Sequence, residues 1–200
     1  MLPRIIRTSR LVLRPPLLED APAIFKGYGQ DPEVTRYLTW QPKSRVEEME
    51  DFLRGCVSAW QGEDRRPWVL TRAPEDVALG IVNLWLEDHR AELGYVLARS
   101  AWGQGLMSEA VQVVTELALA EPGIYRVAAY CDVENMGSAR VLEKAGMVRE
   151  GLLRRCVMHP NVCDEPGTYS STPGRARRRP RLTAPCRGAQ RRPAFHPRPP

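Results

Sequence analysis

The sequence predicts an α/β (α+β) protein with one folded domain, and three observations carry that reading. A strand runs through a glycine-bearing turn into a helix at residues 93–118, a meander of short apolar strands precedes it, and a second strand-then-helix unit follows. In the first unit Leu93, Tyr95 and Leu97 alternate as a half-buried extended segment. From Glu109 onward apolar residues recur at helical spacing through Val113, Val114, Leu117 and Ala118. Gly103 and Gly105 between them allow the backbone to turn its amides inward and approach a ligand closely. The following helix adds unpaired N–H groups and a positive dipole end. That is an anion site, most naturally for a pyrophosphate; an ordinary tight turn is the bland alternative.

Taken from the start, Arg10-Leu11-Val12-Leu13-Arg14 alternates as a strand and is stopped by Pro15-Pro16. Asp20 is placed to cap a helix that accepts Pro22 in its first turn and runs through Ile24 and Phe25 to Gly27 and Gly29. Asp31-Pro32-Glu33 starts a shorter helix. Ser44, with Glu47 at the capping-box position, opens a longer one whose inward stripe is Val46, Met49, Phe52, Leu53 and Val57. Strands follow at Trp68-Val69-Leu70 and at residues 78–86, separated by the turn-prone Pro74-Glu75-Asp76. A further turn, Glu87-Asp88-His89-Arg90, delivers the chain to the central strand. The helix after the glycines ends at Pro122-Gly123, Arg126 to Cys131 forms another strand, and Asn135 caps a helix closed by Gly146.

The 200 residues suffice for one well-formed core. The formal charge of +5 invites a nucleic-acid reading, but its distribution argues otherwise. Residues 161–200 hold nine arginines and two acids, so the remaining 160 residues are slightly acidic. Cys56, Cys131, Cys156, Cys163 and Cys186 are odd in number and form no Cys-x-x-Cys pair; with only three histidines, neither a disulfide framework nor a metal site is supported. No stretch approaches a signal h-region or a membrane span. A reduced, cytoplasmic setting is the expectation.

The stretch Trp102-Gly103-Gln104-Gly105-Leu106-Met107-Ser108-Glu109-Ala110 resembles the acyl-CoA-binding loop of the GNAT acetyltransferase superfamily. That pattern is Gln or Arg, two residues, Gly, one residue, then Gly or Ala; Trp102 stands at its first position, Gly105 at its centre and Met107 at its end. The wording is similar to the branch that acetylates the N-termini of ribosomal proteins, the RimJ and RimL type. Residues 8–15 look like that branch's opening strand. Asn135-Met136-Gly137-Ser138 followed by Leu142-Glu143-Lys144-Ala145-Gly146-Met147 resembles a second family motif, about thirty residues further on. The resemblance covers residues 8–160 and implies the GNAT fold, a mixed, mostly antiparallel central sheet flanked by helices.

It also implies a site. Backbone groups of Val96 and Leu97 would pair with the pantetheine arm of acetyl-CoA as though it were an added strand. Trp102 would line the coenzyme site, and the amides of Gly103, Gln104, Gly105, Leu106, Met107 and Ser108 would take the pyrophosphate. Asn135 and Ser138 would face the pantetheine and sulfur, with the Ser138 hydroxyl the candidate proton donor, and Arg140 and Lys144 would partner the nucleotide phosphates. Glu92, at the start of the central strand, is the candidate base. The implied activity is acetyl transfer to a primary amine, most naturally a protein N-terminus; a small amine such as a polyamine or antibiotic, and a catalytically impaired acyl-CoA-binding protein, are the alternatives.

From Asn161 the composition changes: eight of the eighteen prolines and nine arginines fall in forty residues. Residues 161–200 are therefore expected to be a disordered tail following a domain of residues 1–160, with the closing strand of the fold lost or altered. GC-rich codons for Glu165 to Gly174 with one extra C after Pro166 translate as Glu-Pro-Arg-Asp-Val-Leu-Leu-Tyr-Ala-Arg, the strand the family would have. The tail then reads as a shifted frame; a genuine Arg-rich arm that binds RNA is the rival.

Overall fold

The computed structural model describes residues 1–162 and 166–173. Eight strands form one sheet: β1 (Ile6–Arg7), β2 (Val12–Arg14), β3 (Arg65–Thr71), β4 (Gly80–Glu87), β5 (Arg90–Leu97), β6 (Arg126–Asp132), β7 (Gly151–Met158) and β8 (Pro166–Pro173). Their order is β1-β2-β3-β4-β5-β6-β8-β7, with β5 and β6 parallel and every other pair antiparallel. This is the mixed, mostly antiparallel sheet expected. Connection lengths explain the pattern: the tight turn at Asp88 gives an antiparallel partner, whereas return to a parallel one needs the long crossover through a helix.

Helices cover both faces. On one lie α1 (Ala21–Ile24), continued by a wider turn over Phe25–Gly29, α2 (Pro32–Thr35) and α3 (Glu47–Ala59); Ile24, Tyr28, Met49 and Leu53 pack there against Val69 and Ile81. On the other, α4 (Leu106–Ala120) and α5 (Met136–Lys144) bury Leu106, Val111, Val114 and Leu142 against Trp68, Leu70, Leu84 and Leu93. Since β3 is covered on both sides, its successive residues Trp68, Val69 and Leu70 are all fully buried, each serving one face or the other.

Three local expectations change. Asp20 makes no cap: its carboxylate takes two hydrogen bonds from the Arg14 guanidinium, at 2.8 and 2.9 Å, and one from the Leu17 amide. Ser44 does not form a capping box with Glu47; its amide and hydroxyl donate to Glu48 Oε1, and the helix begins at Glu47 itself. The inward stripe of α3 is Met49, Leu53 and Cys56, while Phe52 and Val57 face solvent. The spacing of seven between Met49 and Cys56 gives the better two-turn alignment, and Cys56 counts as an apolar residue when buried. Asn135 caps as expected, accepting from the Ser138 amide, and the short helix starts where expected, with Asp31 accepting from the Glu33 amide.

The larger correction concerns the end of the chain. Residues 166–173 form β8, an interior strand between β6 and β7, so the sheet runs past residue 160 and the closing strand is altered and not lost. Backbone pairing on both edges supplies what its side chains do not, for Thr168, Ser170 and Ser171 are polar where an interior strand is ordinarily apolar. Ser170 is accommodated by a hydroxyl contact of 3.2 Å to the Cys131 thiol. The Arg-rich segment 174–200 lies outside the described residues.

Arg14 joins β2 to the first helical turn through Asp20 and to the β3–β4 turn through Asp76, at 2.9 Å. Both Arg14 and Asp20 are largely buried, and the paired carboxylates push the guanidinium further above its already high pKa. Removing Asp20 leaves the guanidinium to the exposed Asp76 carboxylate and the Leu17 amide without its acceptor. Asp20→Ala is expected to lower unfolding free energy by about 1.5–3 kcal/mol, read from chemical denaturation, with the midpoint falling and the slope retained.

Candidate active site

The site begins where two strands part. β5 and β6 are paired from Arg90 opposite Arg126 to Leu93 opposite Ala129 and no further. Beyond that point β5 stays with β4 as far as Leu97, while β6 stays with β8 as far as Asp132. A wedge opens between them, and a cleft there is lined by Gly94, Tyr95, Tyr130, Asn135, Ser138 and Tyr169, with Tyr37 and Leu38 entering from the segment after α2. Gly94 leaves room for the Trp85 ring, which a Cβ would approach to 3.0 Å.

The open edge of β5 offers backbone groups, though not those of both residues expected. The Ala98 amide donates to Leu79 on the β4 side, and polar groups alternate sides along an antiparallel strand. Val96 therefore faces β4, and the wedge is served by Tyr95 and Leu97. The expectation for Val96 fails on this alternation. The Leu97 carbonyl accepts from the Trp102 indole at 2.8 Å. The Trp102 amide is committed to Arg99, so this residue contributes its ring and not a free N–H.

Behind Trp102 the loop has the geometry an anion site needs. Gly103 and Gly105 stand at φ of +74° and +73°, a left-handed conformation that L side chains rarely adopt. The Glu109 amide, donating to the Gly105 carbonyl at 3.1 Å, makes the first full helical bond of α4, so the amides from Gly103 to Ser108 precede the intrahelical ladder. Leu106 and Met107 turn their side chains into the core, Met107 being only 2% exposed, which leaves the outer side of the turn to the backbone.

Sequence reasoning missed how this loop is held. Arg10, in the β1–β2 connection, donates at 2.7 Å to the Gln104 carbonyl and at 2.6 Å to the Glu109 carboxylate, which also accepts from Ser9. Arg72 donates to the Gln104 side chain at 2.7 Å. Burial alone would raise the Glu109 carboxyl, but hydrogen bonds from Thr8, Arg10 and Ser9 overcome it and hold the group below its ordinary value. Arg10 thus reaches the loop already neutralised, as a fastening.

Across the wedge, α5 brings in the second motif. Asn135 Oδ1 accepts the Ser138 amide at 3.0 Å, fixing the first turn, and Ser138 Oγ lies 2.8 Å from the Tyr95 hydroxyl of β5. Tyr95 was legible from sequence only as an alternating, core-like residue. Arg140 and Lys144 are exposed along the same helix. Glu92 sits on β5 opposite Ala128, one residue before the last β5–β6 pair, and on the sheet face opposite Leu93. It is exposed, yet loss of water around the charged form raises its carboxyl pKa, with Arg90 opposing and Glu87 reinforcing. Tyr130, on the wall of the cleft, feels its charge. No cluster of metal-ligating side chains occurs among the described residues, and no described helix is long and apolar enough to cross a membrane.

A wedge with one unpaired strand edge, leading to an amide-lined turn at a helix head, fits a long thin ligand that ends in a diphosphate. Fold and site define the class of acyltransferases that draw their acyl group from coenzyme A. Residues 10–148 match the model of the Acetyltransferase (GNAT) domain. The N-acetyltransferase p20 of Bacillus licheniformis is 33% identical over 150 residues, spanning 74% of this chain and 84% of that protein. The structure of a GNAT-family acetyltransferase from Bacillus anthracis superposes with a TM-score of 0.74 at 26% identity, covering 84% of this chain and 96% of the other. RimL, the ribosomal L7/L12 α-N-protein acetyltransferase solved with coenzyme A, gives 0.74 at 20% identity over 84% and 96%. The chain belongs to the GNAT acetyltransferase family, whose acyl donor is acetyl-CoA, and is an acetyltransferase.

At Gly105 a Cβ would have space, its nearest neighbour being Arg10 at 3.6 Å, so the requirement is for the positive φ alone. Gly105→Val forces a β-branched residue into that region. Coenzyme A affinity, measured by calorimetry, is expected to fall by at least about tenfold, since a turned peptide removes more than one charge-assisted hydrogen bond.

Proposed function

We propose that the protein transfers acetyl from acetyl-CoA to the N-terminal α-amine of a protein, with a ribosomal protein as the favoured acceptor. One observation carries this reading: the Glu92 carboxyl, whose pKa desolvation raises, stands at the root of the wedge on a face walled by exposed aromatic rings, Trp85 at 41% and Tyr130 at 36%. An open wall of this kind suits a chain end that continues into solvent better than an enclosed small amine. The structural likeness to RimL, whose acceptor is the N-terminus of L7/L12, supports the same class.

In this reading the tight turn from Gly103 to Ser108 binds the pyrophosphate, Arg140 and Lys144 add charge for the nucleotide phosphates, and Tyr95 and Leu97 hold the pantetheine amides. Glu92, directly or through a water, takes the proton from the ammonium so that the nitrogen lone pair is free. The new C–N bond forms as the C–S bond breaks, the sulfur leaves with the electron pair towards Ser138, and the second proton that the nitrogen sheds on becoming an amide passes to the departing thiolate or to water. Fixing amine and thioester together supplies the larger part of the acceleration, and the base adds a factor of about 10²–10⁴.

Thiol release from acetyl-CoA, followed against a panel of N-terminal peptides, polyamines and aminoglycosides, tests the acceptor. Peptides should lead in kcat/KM; turnover confined to the small amines overturns the proposal, and coenzyme binding with no turnover favours the impaired binding protein. Glu92→Gln should lower kcat by about a hundredfold. In the parent protein the rate should decline as pH falls through the raised carboxyl pKa, because protonation removes the base; the variant should lose that limb of the profile.

A further inference from the structure

We propose that Tyr95 is a positioning residue that aims the Ser138 hydroxyl proton at the coenzyme sulfur, so that the two hydroxyls act as one unit. The inference rests on the acetyl-transfer reading above and goes beyond it in what it asks of Tyr95. The phenol oxygen lies within reach of two acceptors on the same residue, Ser138 Oγ at 2.8 Å and the Ser138 carbonyl at 3.1 Å. A phenol has one hydrogen, and a serine hydroxyl has one.

Two arrangements follow from counting those hydrogens. If Tyr95 donates to the carbonyl, Ser138 donates to the phenol oxygen, and neither hydrogen is offered to the cleft. If Tyr95 donates to Ser138 Oγ, the serine hydrogen is released to face the cleft that both residues line. The exchange rotates two hydroxyl hydrogens and moves no heavy atom. Negative charge on a sulfur in the wedge favours the second arrangement, because each donor then points towards it. Burial raises the Tyr95 phenol above its ordinary pKa, with the Ser138 bond opposing, so the ring stays neutral and keeps its hydrogen wherever an amine acetyltransferase works.

Neither hydroxyl gives up its proton. A thiol titrates near about 8.5 and a buried phenol well above that, so the pair stabilises a thiolate by hydrogen bonding and does not protonate it. The backbone prepares this: the Asn135 cap fixes the Ser138 amide at 3.0 Å, and Leu93 on one side of Tyr95 is locked in the core, leaving the phenol directed across the wedge. A phenylalanine would pack equally well and lose only the donor.

The decisive measurement needs no acceptor. Bound, unacetylated coenzyme A is titrated by the ultraviolet absorbance of its thiolate in the parent protein, Tyr95→Phe, Ser138→Ala and the double variant. The parent should depress the thiol pKa relative to free coenzyme A. Each single variant should reverse the effect by about tenfold in the thiol–thiolate equilibrium, and the double variant should match the singles. Tyr95→Phe should also reduce kcat with KM for acetyl-CoA held within about twofold. A Tyr95→Phe protein that titrates like the parent, or a double variant whose shift is the sum of the singles, overturns the proposal. Thermal melting of each variant separates loss of fold from loss of the effect. If the coenzyme thiol shifts as expected but no amine is acetylated, the acceptor reading fails while this one stands.

Discussion

Everything functional depends on β5 and β6 running parallel and then letting go. Four residue pairs hold them, Arg90 to Leu93 against Arg126 to Ala129, after which each strand is retained by its outer neighbour alone. An edge inside a sheet exposes backbone donors and acceptors that must be satisfied, and those of Tyr95 and the Leu97 amide are the ones so placed, the Leu97 carbonyl being taken by the Trp102 indole. A ligand that pairs like a strand satisfies them. The same parting puts the start of α5 across from β5, which is why residues 43 apart in sequence share a hydrogen bond.

The glycine loop and the opposite wall of the cleft are each tied down from a distance. Arg10 from the β1–β2 connection and Arg72 from just past β3 reach Gln104, fixing a turn whose glycines would otherwise populate many conformations. On the other flank the Asn161 side-chain amide donates at 2.8 Å to the carbonyls of both Thr35 and Trp40, stitching the β7–β8 turn to the segment that supplies Tyr37 and Leu38. Binding surfaces made of loops keep their shape through such ties, since ordering a loop only when a ligand arrives costs affinity.

Local chemistry was legible in the sequence and cross-chain chemistry was not. The glycine turn, the helix start at Asp31, the Asn135 cap, and the strands from Trp68 to Leu97 follow from φ requirements, caps and alternation, all short-range. Which side of β5 Val96 serves depends on register with β4, fixed by side chains some fifteen residues away. Asp20 carried a cap signal, yet Arg14 offered a bidentate partner and won. Tyr95 hid because alternation with Leu93 is what a core tyrosine also shows. β8 was expected to be lost or altered because prolines and arginines crowd the chain from Asn161; its place is set by the backbone edges of β6 and β7, which composition does not reveal.

The order β6-β8-β7 gives that last strand a weight out of proportion to its few apolar contacts. Among the described strands β7 pairs with β8 alone, and Asn161 lies in the turn between them. Detaching β8 would release β7 with it, free the tether on the Thr35–Trp40 segment and unroof the cleft at Tyr169, all in one step. The terminal segment therefore behaves as a keystone: the cleft wall formed by Tyr169 and the Thr35–Trp40 segment stands or falls with it, while the glycine loop, anchored by Arg10, Glu109 and the buried face of α4, keeps its own supports.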